Sequence, residues 1–340
     1  MKIIECVPNL SEGRDKEKLE KIKNRISSVS GVNLLSFEPD ADYNRVVITF
    51  AGEPEAVLNG ALETVRAGAE HIDMRTHKGE HPRLGAADVV PFIPVKNATI
   101  EECAALAERF GEQISRELNL PVYLYEGAAR TPQRKNLSDI RKGEYEGLEA
   151  KLKDPEWKPD FGEAVFNPKL GATVTGTRFF LIAYNVNLKT TDLSVSKDIS
   201  EIIRESGRVK RDENGNPVKV DGKTVKEPGR FKAVKAMGVT LEKYGITQVS
   251  INLTNYTLSN MHQVFEEVKK EAALRGVETM GSEIVGLVPL AALLESGRYF
   301  AGNQQLSDSE LATIAVEKLG LSALAPFKPE EKIIEYMVEK

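Results

Sequence analysis

The chain has 340 residues, with 46 basic and 51 acidic side chains for a net charge of −5, and 41% apolar positions. That length accommodates two domains and a core large enough to need no covalent staples, and the mild acidity gives no global attraction to nucleic acid or to an anionic membrane. Only two cysteines, Cys6 and Cys103, are present, both in apolar stretches, which excludes a disulfide scaffold and fits reduced thiols in a cytoplasmic protein. No apolar run approaches the ~18 residues that span a bilayer, and the start MKIIECVPN turns polar too soon for a secretion signal.

Taken in chain order, Lys2 to Val7 reads as a strand, and Leu19, Ile22, Ile26 and Val29 then recur at helical spacing. Two strands follow, Val32 to Phe37 and Val46 to Phe50. A helix opens at Glu53-Pro54, where proline suits the first turn, and carries Val57, Leu58, Leu62 and Val65. Asp88 to Val95 is a strand. Thr99 with Glu102 spells a capping box at the head of a helix running to about Leu118, and Val122 to Tyr125 closes the first half. Between Ala128 and Thr175 the pattern weakens into charged helical fragments and a loop rich in Pro and Gly. Beyond it, Arg178 to Leu188 reads as a strand, Ser194 to Glu205 as a helix, Phe231 to Leu241 and Ile246 to Leu253 as strands, Ser259 to Arg275 as a helix, and Glu278 to Val288 as a last strand before short helices.

Both halves thus read β-α-β-β-α-β. This predicts an α/β protein of layered α+β type, with two subdomains, each a mixed sheet carrying its helices largely on one face. The expected limits are 1–175 and 176–328, with a tail at 329–340. The repeat is one of element order, not of sequence identity. Within the second half, Asn214-Gly215 and Asp221-Gly222 mark tight turns in the segment 208–226, a solvent-exposed insertion or a lid.

Three segments could carry chemistry. In His77-Lys-Gly-Glu-His81-Pro-Arg, the formal H-x-x-E-H pattern would need a helix to put two imidazoles on one zinc ion, and Gly79 and Pro82 oppose one, so no metal is expected. A histidine held between a glycine turn and a proline just before a buried strand can instead present its ring to a cleft, with Glu80, Arg83 and Asp88 nearby. The second segment is Gly162-Glu163-Ala164-Val165-Phe166-Asn167-Pro168-Lys169-Leu170-Gly171. It lacks the orders of a nucleotide-binding loop. Glycines for close backbone approach, Trp157, Phe161 and Phe166 for apolar contact and Lys169 for charge suit a planar heterocycle with an acidic tail, the other reading being a plain linker. The third segment, Cys6 to Gly13, is a strand end running into a turn, where Asn9 offers hydrogen bonds. Glu38, Asp40 and Arg45 surround the hairpin between the next two strands, and an arginine fork suits a substrate carboxylate.

Together, CVPNLSEG at 6–13, HKGEHPRLGAADVVPFIPV at 77–95, PVYLYEGAAR at 121–130, RKGEYEGL at 141–148, PDFG at 159–162, GATVTGTRFFLIAYNVNL at 171–188 and EIVGLVPLAALL at 283–294 resemble the glutamate formimidoyltransferase family, across essentially the whole chain. The resemblance implies transfer of a formimino group from N-formimino-L-glutamate to N5 of tetrahydrofolate in histidine breakdown. It further implies two α/β subdomains with folate as co-substrate between them, and a cytoplasmic homodimer. It puts the catalytic histidine at His81 and the folate-binding stretch at Gly162 to Gly171. Asn9, Glu38, Asp40, Arg45 and Arg178 are the expected substrate contacts, with Lys169, Arg178 and Arg45 as seats for the glutamate carboxylates. Glu163, Ala164 and Lys169 depart from the family's pattern. The stretch of the bifunctional members that carries the cyclodeaminase is not part of this sequence, so the ammonia-releasing step is expected either to belong to a separate cyclodeaminase or not to occur. Two other readings compete: a 5-formyltetrahydrofolate:glutamate formyltransferase on the same scaffold, and a folate-binding protein without turnover.

Overall fold

A computed structural model describes residues 1–339. The chain divides into two compact units, Met1–Arg178 and a second that begins at Phe179. Residue 175, the expected limit, lies inside the last strand of the first unit.

The first unit runs β1 (Ile3–Cys6), β2 (Asn9–Leu10), α1 (Lys16–Ser27), β3 (Asn33–Asp40), β4 (Arg45–Gly52), α2 (Pro54–His71), β5 (Ala87–Lys96), α3 (Ile100–Leu118), β6 (Val122–Glu126), α4 (Leu137–Arg141), α5 (Glu144–Leu152) and β7 (Thr173–Thr177). Local chemistry sets the helix starts. The Asp15 side chain accepts from the amides of Glu17 and Lys18, Pro54 occupies the first turn of α2, and Thr99 and Glu102 close the expected capping box on α3. β1 and β2 occupy one strand position, because both pair antiparallel with β4 and with β5 across the break at Val7-Pro8. The sheet reads β3, β4, β1/β2, β5, β7, β6, its last three strands parallel.

One face of this sheet carries Ile4, Cys6, Leu10, Val46, Ile48, Phe50, Val90 and Phe92, which pack on the apolar stripes of α1, α2 and α3. Burying each large apolar side chain contributes roughly 1.5–3 kcal/mol, so this face anchors the unit. On the opposite face, Val89, Tyr123, Tyr125 and Val174 are covered by Ile140, Leu148 and Leu152 of α4 and α5. The rest of that face carries Glu5, Asn9 and Arg45, whose positions follow from strand alternation.

The second unit runs β8 (Ile182–Leu188), α6 (Leu193–Ile203), β9 (Arg208–Val209), β10 (Lys219–Val220), β11 (Lys223–Thr224), β12 (Lys226–Glu227), β13 (Val234–Leu241), β14 (Ile246–Leu253), α7 (Met261–Leu274), β15 (Thr279–Val285), α8 (Leu290–Ala301), α9 (Asp308–Leu319), α10 (Pro329–Lys332) and α11 (Ile334–Val338). Its main sheet has the order β13, β14, β8, β15. The mixed character expected of both sheets belongs to the first. In the second, each helical crossover links strands separated by one intervening strand, so all neighbours are antiparallel. With β1/β2, β3, β4 and β5 set against β8, β13, β14 and β15, the two units share sheet order as well as element order. The 208–226 segment forms two small exposed hairpins, β9 with β12 and β10 with β11, the inner one turning at Asp221-Gly222 with both residues at positive φ.

Candidate active site

Two loops at one end of the first sheet are stapled into a single rim: residues 41–44, between β3 and β4, and residues 77–81, which lead toward β5. The Arg14 guanidinium donates to the carbonyls of Ala41 (2.6 Å), Lys78 (3.1 Å) and Asp42 (3.5 Å). Asn44, held at a φ of 49°, accepts from the Gly13 amide through its side-chain oxygen (3.0 Å) and donates from Nδ2 to the Lys78 carbonyl (2.9 Å). The loops meet so closely that a Cβ on Gly79 would lie 2.4 Å from the Tyr43 carbonyl oxygen, which is why the turn carries glycine.

Residues 77–81 contain no helix, so His77 and His81 are not stacked as the zinc pattern requires. His77 is occupied otherwise. Its Nε2 donates to the Asn44 carbonyl (2.9 Å), and its Nδ1 faces the Nε of Arg83 at 3.4 Å, which fixes one neutral tautomer. Burial lowers its pKa further. His77 therefore braces the rim.

His81 is half-buried beside Tyr43, with ring centroids 6.3 Å apart and planes nearly perpendicular. Its pKa is pushed down to about 4, first by burial and then by the cations of Arg45, Arg141 and Arg83, with His77 adding in the same direction. At neutral pH the imidazole is unprotonated. Two of the cations are balanced: Arg83 is bound by Glu144 (3.0 Å) and Glu146 (2.6 Å), and Arg141 by the buried Asp88. Asp88 also accepts from the Leu84 amide at 2.8 Å, and burial raises its pKa against the pull of Arg141.

Strand register shows which expected contacts share a face. Residues directly opposite in an antiparallel pair point the same way, so the pairings Glu38 with Val47 and Asn9 with both Val47 and Val89 put Glu38 and Asn9 in one row, with Asp40 and Arg45 next to it. Glu5, opposite Ala51 and Ile93, continues that face toward Arg178, which acts electrostatically on Glu5 and Tyr125. Asp40 is engaged locally, its Oδ1 accepting from the amides of Asp42 and Tyr43, so it shapes the hairpin turn. Lys169 donates to the Ala69 carbonyl at the end of α2 (2.7 Å).

The stretch expected to bind a planar ligand lines a cavity of about 690 Å³, walled by Phe161, Gly162, Glu163, Val165, Phe166, Asn167 and Pro168 against Glu112, Ser115, Arg116 and Asn119 at the end of α3. Ala164, Lys169, Leu170 and Gly171 are not in its wall. Leu170 is buried core, and Gly171 passes so near that a Cβ would sit 2.1 Å from the Leu84 carbonyl oxygen. Trp157, expected at this ligand, is elsewhere: its ring packs on Tyr123 (6.5 Å) beneath Lys151 (4.3 Å), because the sheet's other face draws it in. His81 does not line the cavity either. The two segments are joined by backbone bonds, Ala86 N to Leu170 O (2.9 Å) and Ala172 N to Leu84 O (3.1 Å), and by Tyr145, which donates to the Pro168 carbonyl (2.6 Å) and packs on Phe166 (5.4 Å) below Arg83.

Arg14, Tyr43, Asn44, Arg141 and Tyr145 were missed by pattern reading. Arg141 and Tyr145 stand in RKGEYEGL, one of the segments carrying the family resemblance, which was the available signal.

The class is given by comparison with known protein families. Residues 3–178 match the N-terminal subdomain of the formiminotransferase domain, and residues 183–339 match the formiminotransferase domain that follows it. The chain belongs to the formiminotransferase family. It is 39% identical to the glutamate formimidoyltransferase of Thermoplasma acidophilum over 94% of this chain and 98% of that one, and 39% identical to that of Streptococcus pyogenes over 88% and 93%. It is also 45% identical to the formimidoyltransferase-cyclodeaminase of Dictyostelium discoideum over its full length, spanning 61% of that relative. Among the described residues no helix is long and apolar enough to cross a membrane.

Proposed function

We propose that the protein transfers the formimino group of N-formimino-L-glutamate to N5 of tetrahydrofolate, the two being co-substrates, with His81 moving the protons. The observation that carries this reading is an imidazole kept unprotonated at neutral pH within a chain that matches both formiminotransferase subdomains. The N5 lone pair attacks the amidine carbon and forms a C–N bond. His81 takes the proton that N5 must lose, then returns it to the glutamate nitrogen as the old C–N bond breaks. The imidazolium formed among guanidiniums is a strong acid, well suited to the second half of this exchange. Holding both substrates together supplies more than proton transfer does, since proximity can be worth about 7–11 kcal/mol.

The aromatic and polar wall of the 162–168 cavity suits part of the folate, and the Asn9, Glu38 and Arg45 face suits the amino-acid donor. We further propose a cytoplasmic homodimer. Incubation with formiminoglutamate and tetrahydrofolate is expected to give 5-formimidoyltetrahydrofolate, followed by absorbance. A faster reaction of 5-formyltetrahydrofolate with glutamate would replace this reading with formyl transfer, and tight folate binding with no transfer would replace it with a binding protein.

A further inference from the structure

Three guanidiniums act on His81, and only two have their charge answered. Arg83 is bound by Glu144 and Glu146, and Arg141 by Asp88. Among the described residues no carboxylate pairs with Arg45, and its Nε is buried with no hydrogen-bond acceptor. Its guanidinium carbon lies 5.7 Å from the centre of the Tyr43 ring, the same ring that meets His81 edge to face. Desolvating a guanidinium donor without an acceptor is costly, and a carboxylate arriving from outside restores the balance. The facing Asp40, whose Oδ1 accepts from the amides of its own turn, makes no ion pair with Arg45.

We propose that Arg45 is the seat for one carboxylate of the amino-acid donor, and that filling this seat is what makes His81 an effective proton acceptor. The proposal rests on the reading of His81 as the proton-transfer group. The charged and titratable groups that bear on His81 are Tyr43 from the hairpin before β4, Arg45 from β4, Arg141 from α4, and Arg83 and His77 from its own loop, the four besides Tyr43 carrying the electrostatic effect. In the free protein their combined positive potential, together with burial, makes its imidazole a weak base. A carboxylate on Arg45 cancels the one cation that no protein group balances, so basicity rises when the donor is in place. Chemistry is thereby coupled to a bound acidic substrate, and a donor lacking that carboxylate fails on both binding and proton transfer.

The test compares wild type with Arg45→Met, which keeps the stem, and Arg45→Lys, which keeps the charge without the fork. The His81 ring is titrated by NMR on histidine-labelled protein, with and without glutarate, a dicarboxylate that cannot react. Glutarate is expected to raise the wild-type titration midpoint by about one pH unit. In Arg45→Met the midpoint is expected to be high already and indifferent to glutarate. In turnover, Arg45→Met is expected to raise the KM for the formimino donor about 10- to 100-fold with the KM for tetrahydrofolate unchanged, and Arg45→Lys to recover part of the loss. An equal glutarate response in wild type and Arg45→Met, or an unchanged donor KM, overturns the proposal. Failure of the functional reading looks different: His81→Ala retains the full rate, or no transfer occurs, while the glutarate titration still reports on Arg45.

Discussion

Replacing Glu5 by glutamine removes a charge that strand alternation forces into the interior. Glu5 is 5% exposed, and burial pushes its carboxyl up to about 7 from an ordinary 4.5, with Arg178 opposing only in part. Between those two values the native protein holds a proton that the unfolded chain has released, so the sign is fixed. The stability contributed at Glu5 is full below pH 4.5 and is lost as pH rises through 7. At about 1.4 kcal/mol per pH unit, the gap amounts to about 3 kcal/mol lost by pH 8.5. Glu5→Gln fills the same volume without the charge, so it is expected to match wild type at pH 4 and to exceed it by about 3 kcal/mol at pH 8.5. The single tryptophan, Trp157, lies in the same unit, so its fluorescence during urea unfolding reports on that unit. With a urea slope of roughly 2 kcal/mol/M, the midpoint moves up by about 1.5 M at pH 8.5. A variant less stable than wild type at pH 8.5, or a gain of equal size at pH 4, refutes the argument and makes the electrostatic attraction of Arg178 the dominant interaction.

His81→Ala is expected to cut transfer about 10²- to 10⁴-fold while leaving the Trp157 unfolding curve in place, and an unchanged rate would remove His81 from the proton-transfer role. Because the unfolded chain protonates this ring near 6.5 and the native protein only near 4, stability drains away as pH falls through that window. His81→Gln should lose less over the same range, which melts at pH 7 and pH 4.5 would reveal. Arg141→Met leaves Asp88 buried without its partner and is expected to destabilise by about 3–5 kcal/mol, much of it recovered by adding Asp88→Asn; a double variant as unstable as the single one would contradict this. Gly79→Ala drives a methyl into the Tyr43 carbonyl and parts the two rim loops, so transfer should fall by more than the melting temperature suggests, and full activity would mean that the rim need not be closed.

Much of this protein is written in local pattern. Apolar spacing gave the main helices of both units, Pro54 and the Thr99 box gave two of their starts, and short apolar runs gave most of the long strands but neither β2 nor β7, because each of these signals acts within a turn or two of chain. Glycine and proline in 77–82 were enough to show that the histidine loop is no helix, and the quoted segments together were enough to point to the family. Strand pairing was beyond reach. That β2 resumes beside β4 and β5 after Val7-Pro8, and that the second sheet is antiparallel throughout, depend on which strands lie between others.

The site shows the same division. His81 and Arg45 could be singled out by residue type and neighbourhood. Only the folded chain shows that Arg14 and Asn44 bind two distant loops into one rim, that Trp157 turns to the other core, and that two of three guanidiniums around His81 are balanced while Arg45 is left for an acid from outside. Charge balance and burial are sums over everything nearby in space, and residues 45, 83, 88 and 141 become neighbours only when the sheet brings them together.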